Sequence, residues 1–208
     1  DKAVAENQIE IVDATPGLAI VMATKDDVER DLMRKSSVLS NKVMKHGFVK
    51  KLEEIIEEET DITHETMAAE IEAIIENPQM IKIGVPPEDV QSCYFPIIQS
   101  GGQYDLKVSA QSTSSKLSHD IITVSLGARY KLYCSNMART FLVDPPKAVS
   151  DTYEILLEVQ DACLDAMKPG QPLKSVYAAA VNYLQTTANR TDFVSKLQRT
   201  DGIAQGRD

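Results

Sequence analysis

The spacing of apolar residues predicts two helices near the start of the chain. Residues 8–13 alternate weakly, which indicates an edge strand or a linker, and Thr15-Pro16-Gly17 is a turn signal. From Lys25-Asp26-Asp27 onward the pattern predicts one long helix to about residue 59, interrupted or kinked at Gly47. A second helix is predicted between Thr63 as N-cap and a stop at Asn77-Pro78. The apolar stripes are Val28, Leu32, Leu39, Val43, Leu52, Ile55 and Ile56, then Met67, Ile71, Ile74 and Ile75.

The middle of the chain changes to a strand pattern. Gly101 and Gly102 predict a loop with unusual backbone angles after the first strand, and Gly127 predicts a tight turn. Short apolar and β-branched runs predict strands at residues 94–98, 106–109, 120–125, 129–134 and 139–143.

Two further helices are predicted after Asp144-Pro145-Pro146 ends the strand region. One starts at Ser150 and stops at Lys168-Pro169-Gly170, and the other starts at Pro172. Helices, then strands, then helices is the order of an α+β fold rather than the alternation of a doubly wound sheet.

Composition and charge narrow the function classes. A chain of 208 residues with 43% hydrophobic and 25% charged residues is typical of a globular protein. The net charge of −9 disfavours unaided binding to nucleic acid, because that binding needs Lys and Arg to displace counterions. A basic partner is one reading of this charge, and a merely solubilising surface is the other. Three cysteines without C-x-x-C spacing fit a reducing compartment, and no apolar run approaches the length of a membrane helix.

The first long helix carries an acidic block after a basic cluster. Lys50 lies at helical pair spacing from two of the glutamates, so the block is either a solvated, mutually paired face or a patch for a basic partner. As a candidate binding site it consists of Glu53, Glu54, Glu57, Glu58 and Glu59.

The strand block carries a family resemblance. Residues 124–141 read VSLGARYKLYCSNMARTF, which resembles the central motif of the pita-bread peptidases, the superfamily of methionine aminopeptidase, prolidase and creatinase. In the metal-dependent members, an aspartate precedes Leu-Gly and a second follows Ser. The corresponding residues here are Ser125 and Asn136. The family's substrate-contacting histidine aligns with Val108, or at most with its neighbours Lys107 and Ser109.

These substitutions predict that the chain keeps the peptidase fold but lacks the catalytic residues. Two neighbouring divalent cations need carboxylates for charge and for oxygen ligands, whereas Ser125 and Asn136 offer neutral oxygens only. We therefore expect no metal and no cofactor, and degenerate positions at Ser125, Asn136 and Val108. The three histidines, His46, His64 and His119, are predicted to be solvent-exposed or to cap helices.

A second, narrower resemblance covers residues 9 to about 197. The segments 94–102, 104–110, 133–136 and 139–145 closely resemble the N-terminal peptidase-like domains of the large subunit of the FACT histone chaperone, with the fungal members nearest. The resemblance implies a nuclear chromatin module that binds core histones during transcription and replication. The small high-mobility-group-type subunit, reached through other domains, and replication and transcription factors are its other implied partners, without direct binding of nucleic acid or membrane.

Two other functions stay open. A metal-dependent aminopeptidase or prolidase of the same fold is the alternative that Ser125 and Asn136 disfavour, and an interaction surface for replication or transcription proteins is the third.

The resemblance also implies a domain organisation. Residues 1–17 would be a linker from an N-terminal lobe, and residues 18–208 the first half of a pita-bread fold, with helices packed on a curved, mainly antiparallel sheet. Open strand edges would then favour an oligomer or an uncooperative unfolding transition, unless the chain closes on its own core.

Overall fold

The computed structural model describes residues 12–107 and 109–194, and the chain divides into two compact units, Asp1–Val143 and Asp144–Asp208. Within the described part of the first unit are four helices and six strands. The helices are α1 (Thr15–Ala23), α2 (Asp27–Val43), α3 (Val49–Glu57) and α4 (His64–Glu76). The strands are β1 (Val90–Ser92), β2 (Ile97–Gln99), β3 (Ile121–Leu126), β4 (Ala128–Tyr130), β5 (Tyr133–Cys134) and β6 (Met137–Leu142).

The predicted long helix is confirmed, together with its interruption. A capping box starts α2: the Asp26 carboxylate accepts the Glu29 amide proton, and the Glu29 carboxylate accepts the Asp26 amide proton, each at 2.8 Å. The chain then passes through a π-helical turn, Met44–Phe48, directly into α3. Gly47 lies in this turn, where a Cβ atom would lie 3.4 Å from the side chain of Ile74 on α4. The π-helical turn therefore packs directly against α4 at Gly47.

Helix α4 has the predicted ends. Thr63 Oγ1 accepts the Thr66 amide proton at 3.1 Å, and the helix ends at Glu76 before Asn77-Pro78. Its buried face supplies Met67, Ile71 and Ile75 to the core. The predicted stripe is thus confirmed for these three residues.

Two antiparallel sheets, ordered β1-β4-β5 and β2-β3-β6, complete the first unit. Strand β3 is central in its sheet, and its side chains alternate between buried and half-buried positions. One hydrophobic core joins these sheets to the helices, with Val43, Phe48, Ile71, Ile98, Ile122 and Leu126 among its fully buried members. Helices packed on antiparallel sheets confirm the α+β prediction.

Three local predictions are wrong. Residues 15–17 start α1 instead of forming a turn, because the fixed φ of Pro16 suits a first helical turn. The described residues of the predicted strand 106–109, which are 106, 107 and 109, are not in a strand. Leu106 is 83% exposed, and the Gln99 side chain donates to the carbonyl and accepts from the amide of Asp105, which holds this backbone in a loop. The predicted strand 129–134 is two short strands, β4 and β5, joined through Lys131 and Leu132 with positive φ.

The second unit consists of helices over its described residues. Helix α5 (Lys147–Ala166) starts three residues before the predicted Ser150. It is followed by α6 (Leu173–Asn182), a π-helical turn (Tyr183–Thr187) and α7 (Thr191–Val194). Val159, Ala180 and Leu184 form its buried core.

The predicted edge strand or linker at residues 8–13 lies mostly outside the described residues. Over residues 12–107 and 109–194, no helix has the length and apolar character that crossing a membrane requires.

Candidate functional site

The structure brings Ser125 and Asn136 together. Ser125 lies in β3, and Asn136 directly precedes β6, the antiparallel neighbour of β3. The Ser125 hydroxyl lies 3.2 Å from Asn136 Oδ1, within hydrogen-bond distance. Two side chains that are eleven residues apart in sequence are therefore in contact across the neighbouring strands β3 and β6.

Tyr94 joins this pair and was not identified from the sequence. Its hydroxyl lies 2.7 Å from Ser125 Oγ and donates a short hydrogen bond to Asn136 Oδ1. Burial raises the pKa of the Tyr94 phenol, and the hydrogen bond with Ser125 opposes that shift. A phenol with a raised pKa stays neutral near pH 7. We call Tyr94, Ser125 and Asn136 the neutral cluster.

The donor set of the neutral cluster does not fit a pair of divalent cations. A phenol, an alcohol and a carboxamide carry no formal charge, whereas hard cations in proteins are neutralised chiefly by carboxylates. The Tyr94 hydroxyl also bonds both partner oxygens, so these oxygens already have a hydrogen-bond partner. Over the described residues, no group of three or more His, Cys, Asp or Glu could hold a metal ion. Val108, the third position singled out from the sequence, lies outside the described residues.

Gly127 allows the backbone to converge beside the cluster. A Cβ atom there would lie 2.4 Å from the Ser135 carbonyl oxygen and 3.2 Å from the Tyr94 ring. The Gly127 carbonyl accepts the Cys93 amide proton at 2.9 Å, which fixes the residue next to Tyr94. Its φ is not positive, so no left-handed conformation requires glycine here. The position needs glycine for space.

Buried serines fasten α2 to the β4–β5 hairpin. The Ser36 hydroxyl donates to the Ala128 carbonyl at 2.7 Å, and Ser40 Oγ accepts the Ala128 amide proton at 3.0 Å. Both serines also contact Ser135 Oγ, at 2.9 and 2.6 Å. Ser135 directly precedes Asn136, so this network positions one end of the neutral cluster.

His64 is buried, and the prediction of an exposed or capping role is wrong for it. Its Nε2 atom lies 2.7 Å from Ser100 Oγ, in the residue before the Gly101-Gly102 turn. Ser100 Oγ also accepts the Ser118 amide proton at 2.8 Å, which leaves its own proton free to bond neutral His64. The ring therefore links the start of α4 to the glycine turn. His46 and His119 are exposed, as predicted.

This contact predicts a pH-dependent stability. Burial lowers the pKa of His64 below its ordinary value, so the unfolded chain binds the proton more readily than the folded chain does. We expect the free energy of unfolding to fall as the pH drops below about 6.5. Urea unfolding at about pH 7.5 and about pH 5.5 measures this difference in the free energy of unfolding. The His46→Asn variant should show the same difference as the unmodified chain, and the His64→Asn variant should show a smaller one.

Proton NMR of the unmodified chain provides a second readout for the same prediction. A His64 pKa at or above that of a free imidazole, about 6.5, would contradict it.

All five glutamates of the acidic block are exposed, in α3 and the turn that follows it. The predicted pairing with Lys50 is wrong over the described residues, where the ion pair formed from this helix is Lys51 to Glu70 on α4, at 2.9 Å. The block is thus a solvated negative surface without local counterions from Lys50.

Comparisons with known proteins cover most of the chain. The model of Metallopeptidase family M24 matches residues 31–202. The FACT complex subunit SPT16 of Arabidopsis thaliana is 40% identical over 200 residues, which are 95% of this chain and 18% of that protein. SPT16 of the fungus Yarrowia lipolytica is 34% identical over 215 residues, covering 100% of this chain and 21% of that protein. The expectation that fungal members are nearest is therefore wrong, and the chain spans about a fifth of the length of these relatives.

Solved structures agree with this result. The N-terminal domain of SPT16 from chickpea matches with a TM-score of 0.80 and 40% identity, over 86% of this chain and 42% of that one. The same domain from Eremothecium gossypii gives 0.76 and 31%, over 94% and 47%. An X-Pro aminopeptidase from Thermotoga maritima gives 0.66 at 19% identity, over 84% and 45%, which shows a shared fold alone. The resemblance to the first half of the pita-bread fold is confirmed.

Proposed function

We propose, because this chain belongs to Metallopeptidase family M24 and is homologous to the N-terminal domain of the FACT complex subunit SPT16, that it is a non-catalytic, peptidase-like module that binds core histones. The module would act in the nucleus, on chromatin, while nucleosomes are reorganised during transcription and replication. Its other partners would be the small high-mobility-group-type subunit, reached through other domains, and replication and transcription factors.

The observation that carries the non-catalytic part is the neutral cluster. Catalysis by a metal pair requires ligands that compensate the cations' charge and generate a nucleophilic water. Ser125 and Asn136 provide hydrogen-bonding oxygens that already bond each other and Tyr94. Loss of both carboxylates from facing positions leaves about two charges uncompensated, at a cost of several kcal/mol for each desolvated ion.

Histone binding is supported by the net negative charge of the chain and by the clustering of exposed glutamates in the acidic block. The net charge is −9, and the acidic block concentrates five exposed glutamates within seven residues. A negative surface attracts basic segments at long range and speeds their encounter. The same charge opposes binding to the DNA backbone.

A titration of labelled chain with purified core histones tests this proposal. We expect affinity to fall at least about tenfold between roughly 0.1 M and 0.5 M salt, because the Debye length shortens with ionic strength. Replacing all five glutamates of the acidic block by Gln should weaken binding by about tenfold or more at the lower salt.

A control variant carries the same change in charge at dispersed, exposed positions and should weaken binding by less than about threefold. Tighter binding to duplex DNA than to histones, or equal losses in both variants, would contradict the proposal. The control neutralises Glu65, Glu76, Glu88, Glu154 and Asp165.

The aminopeptidase or prolidase alternative is supported by the match to the M24 family model. This chain also resembles a solved X-Pro aminopeptidase, but at 19% identity. That likeness extends to the fold and not to the ligand positions, where the neutral cluster argues against it.

A further inference from the structure

A cavity of about 320 Å³ lies on the first unit, away from the neutral cluster. Its floor is apolar, formed by Val38 and Leu39 of α2, Ile83 and Val85 of the segment between α4 and β1, and Tyr130 of β4. Val38 is 48% exposed, an unusual position for an aliphatic side chain beside a cavity. A concave apolar surface of this size is typical of a site that takes a hydrophobic anchor.

The rim of the cavity is basic, in contrast to the acidic chain. Arg34, Lys35 and Lys42 line it, and no acidic residue does. Asp31 forms an ion pair with Lys35 at 2.7 Å and also attracts Arg34 at longer range. Across the described residues, Arg34 and Lys42 form no ion pair. Two positive charges at this rim are therefore available to a partner.

The basic character continues along the same helical stretch. Lys42 and His46 lie one helical turn apart. His46 also lines a second cavity of about 340 Å³, where three lysines, Lys50, Lys51 and Lys82, outnumber the one acidic residue, Glu54. Both cavities are also bordered by the loop segment of residues 80–85. An extended partner could thus contact positive charge beyond the first cavity.

We propose that the first cavity and its basic rim, which we call the groove, bind an acidic peptide segment that inserts one aromatic or aliphatic side chain. Charge complementarity selects the acidic segment, because the rim is positive on a chain of charge −9. The apolar floor selects a peptide over nucleic acid, because phosphates gain nothing from Val38, Ile83 or Val85. An amphipathic helical peptide would satisfy both the apolar floor and the basic rim, because its apolar anchors lie on one face with acidic residues beside them. The first cavity contains no residue of the acidic block proposed for histones, whereas the second cavity borders that block at Glu54.

Fluorescence anisotropy with the whole 208-residue chain tests the groove. The probe is a labelled peptide of about twelve residues, rich in Asp and Glu, with a Phe and a Leu spaced as on one helix face. We expect Arg34→Glu and Lys42→Glu each to weaken binding about tenfold, and Val38→Ser about fivefold. Lys45→Glu makes the same charge change on an exposed residue that lines neither cavity, and it should stay within about twofold.

Two competitors distinguish the peptide from other polyanions. The same peptide with Ser in place of Phe and Leu should compete at least about tenfold less well, and so should a duplex DNA of about twenty base pairs. Equal competition by either one, or equal losses in Lys42→Glu and Lys45→Glu, would overturn the proposal. Circular dichroism of each variant verifies that the helices are retained.

Discussion

Gly127→Ala is expected to destabilise the first unit by about 3 kcal/mol or more, among the largest effects of any single methyl group in this chain. The added Cβ would lie 2.4 Å from the Ser135 carbonyl oxygen, a backbone atom that cannot rotate away. It would also press on Cys93 and Tyr94, at 3.3 and 3.2 Å. Relief of these contacts requires the strands beside the neutral cluster to separate.

Gly84→Ala is the matched control for this substitution. Nothing lies within 4 Å of the Cβ that it would add, and its φ is not in the left-handed region. We expect its free energy of unfolding to stay within about 0.5 kcal/mol of the unmodified chain. Urea unfolding compares the two variants, and similar stability for both would contradict the steric explanation.

Phe48→Ala is expected to cost about 3–5 kcal/mol, because it removes a fully buried ring and leaves a cavity. Phe48 lies in the π-helical turn and packs on Phe141 of β6, with ring centroids 5.3 Å apart. It thus joins the helical layer to the sheet that carries Ser125.

Phe95→Ala removes the same side chain from a position that is 38% exposed. We expect its cost to be less than about half that of Phe48→Ala, because solvent already reaches the ring and little cavity forms. Thermal or urea unfolding of both variants measures the difference. Equal losses would show that the core does not centre on the π-helical turn.

The parts of the fold that depend on local chemistry were predictable. The Asp26 capping box, the Thr63 cap and the Pro78 stop are signals within a few residues of the helix ends that they set. Strand β3 was predictable because it begins with four consecutive β-branched residues, Ile121 to Val124. The Ser125 and Asn136 pair was found through family resemblance and not through periodicity.

The parts that depend on distant partners were not predictable. His64 has the sequence position of a polar residue at a helix start. Its burial depends on the hydroxyls of Ser100 and Thr113, 36 and 49 residues away, which lie beside its two ring nitrogens. Tyr94 stands in an apolar run, and its hydroxyl contacts side chains 31 and 42 residues on. Leu106 lies in a strand-like pattern, but the side-chain hydrogen bonds of Gln99 hold the neighbouring backbone in a loop.

Metal binding by the chain and by its Ser125→Asp/Asn136→Asp variant is the most direct test of a non-catalytic module. Isothermal titration with Mn²⁺ or Co²⁺, and elemental analysis of protein purified without chelator, give the number of bound ions per chain. We expect no stoichiometric ion in the unmodified chain, because the neutral cluster offers no carboxylate. We expect no hydrolysis of X-Pro peptides by either protein, because the family resemblance aligns Val108 or a neighbour with the substrate histidine, and two new carboxylates do not replace that histidine. One or two ions bound per unmodified chain, together with peptide turnover, would contradict this function.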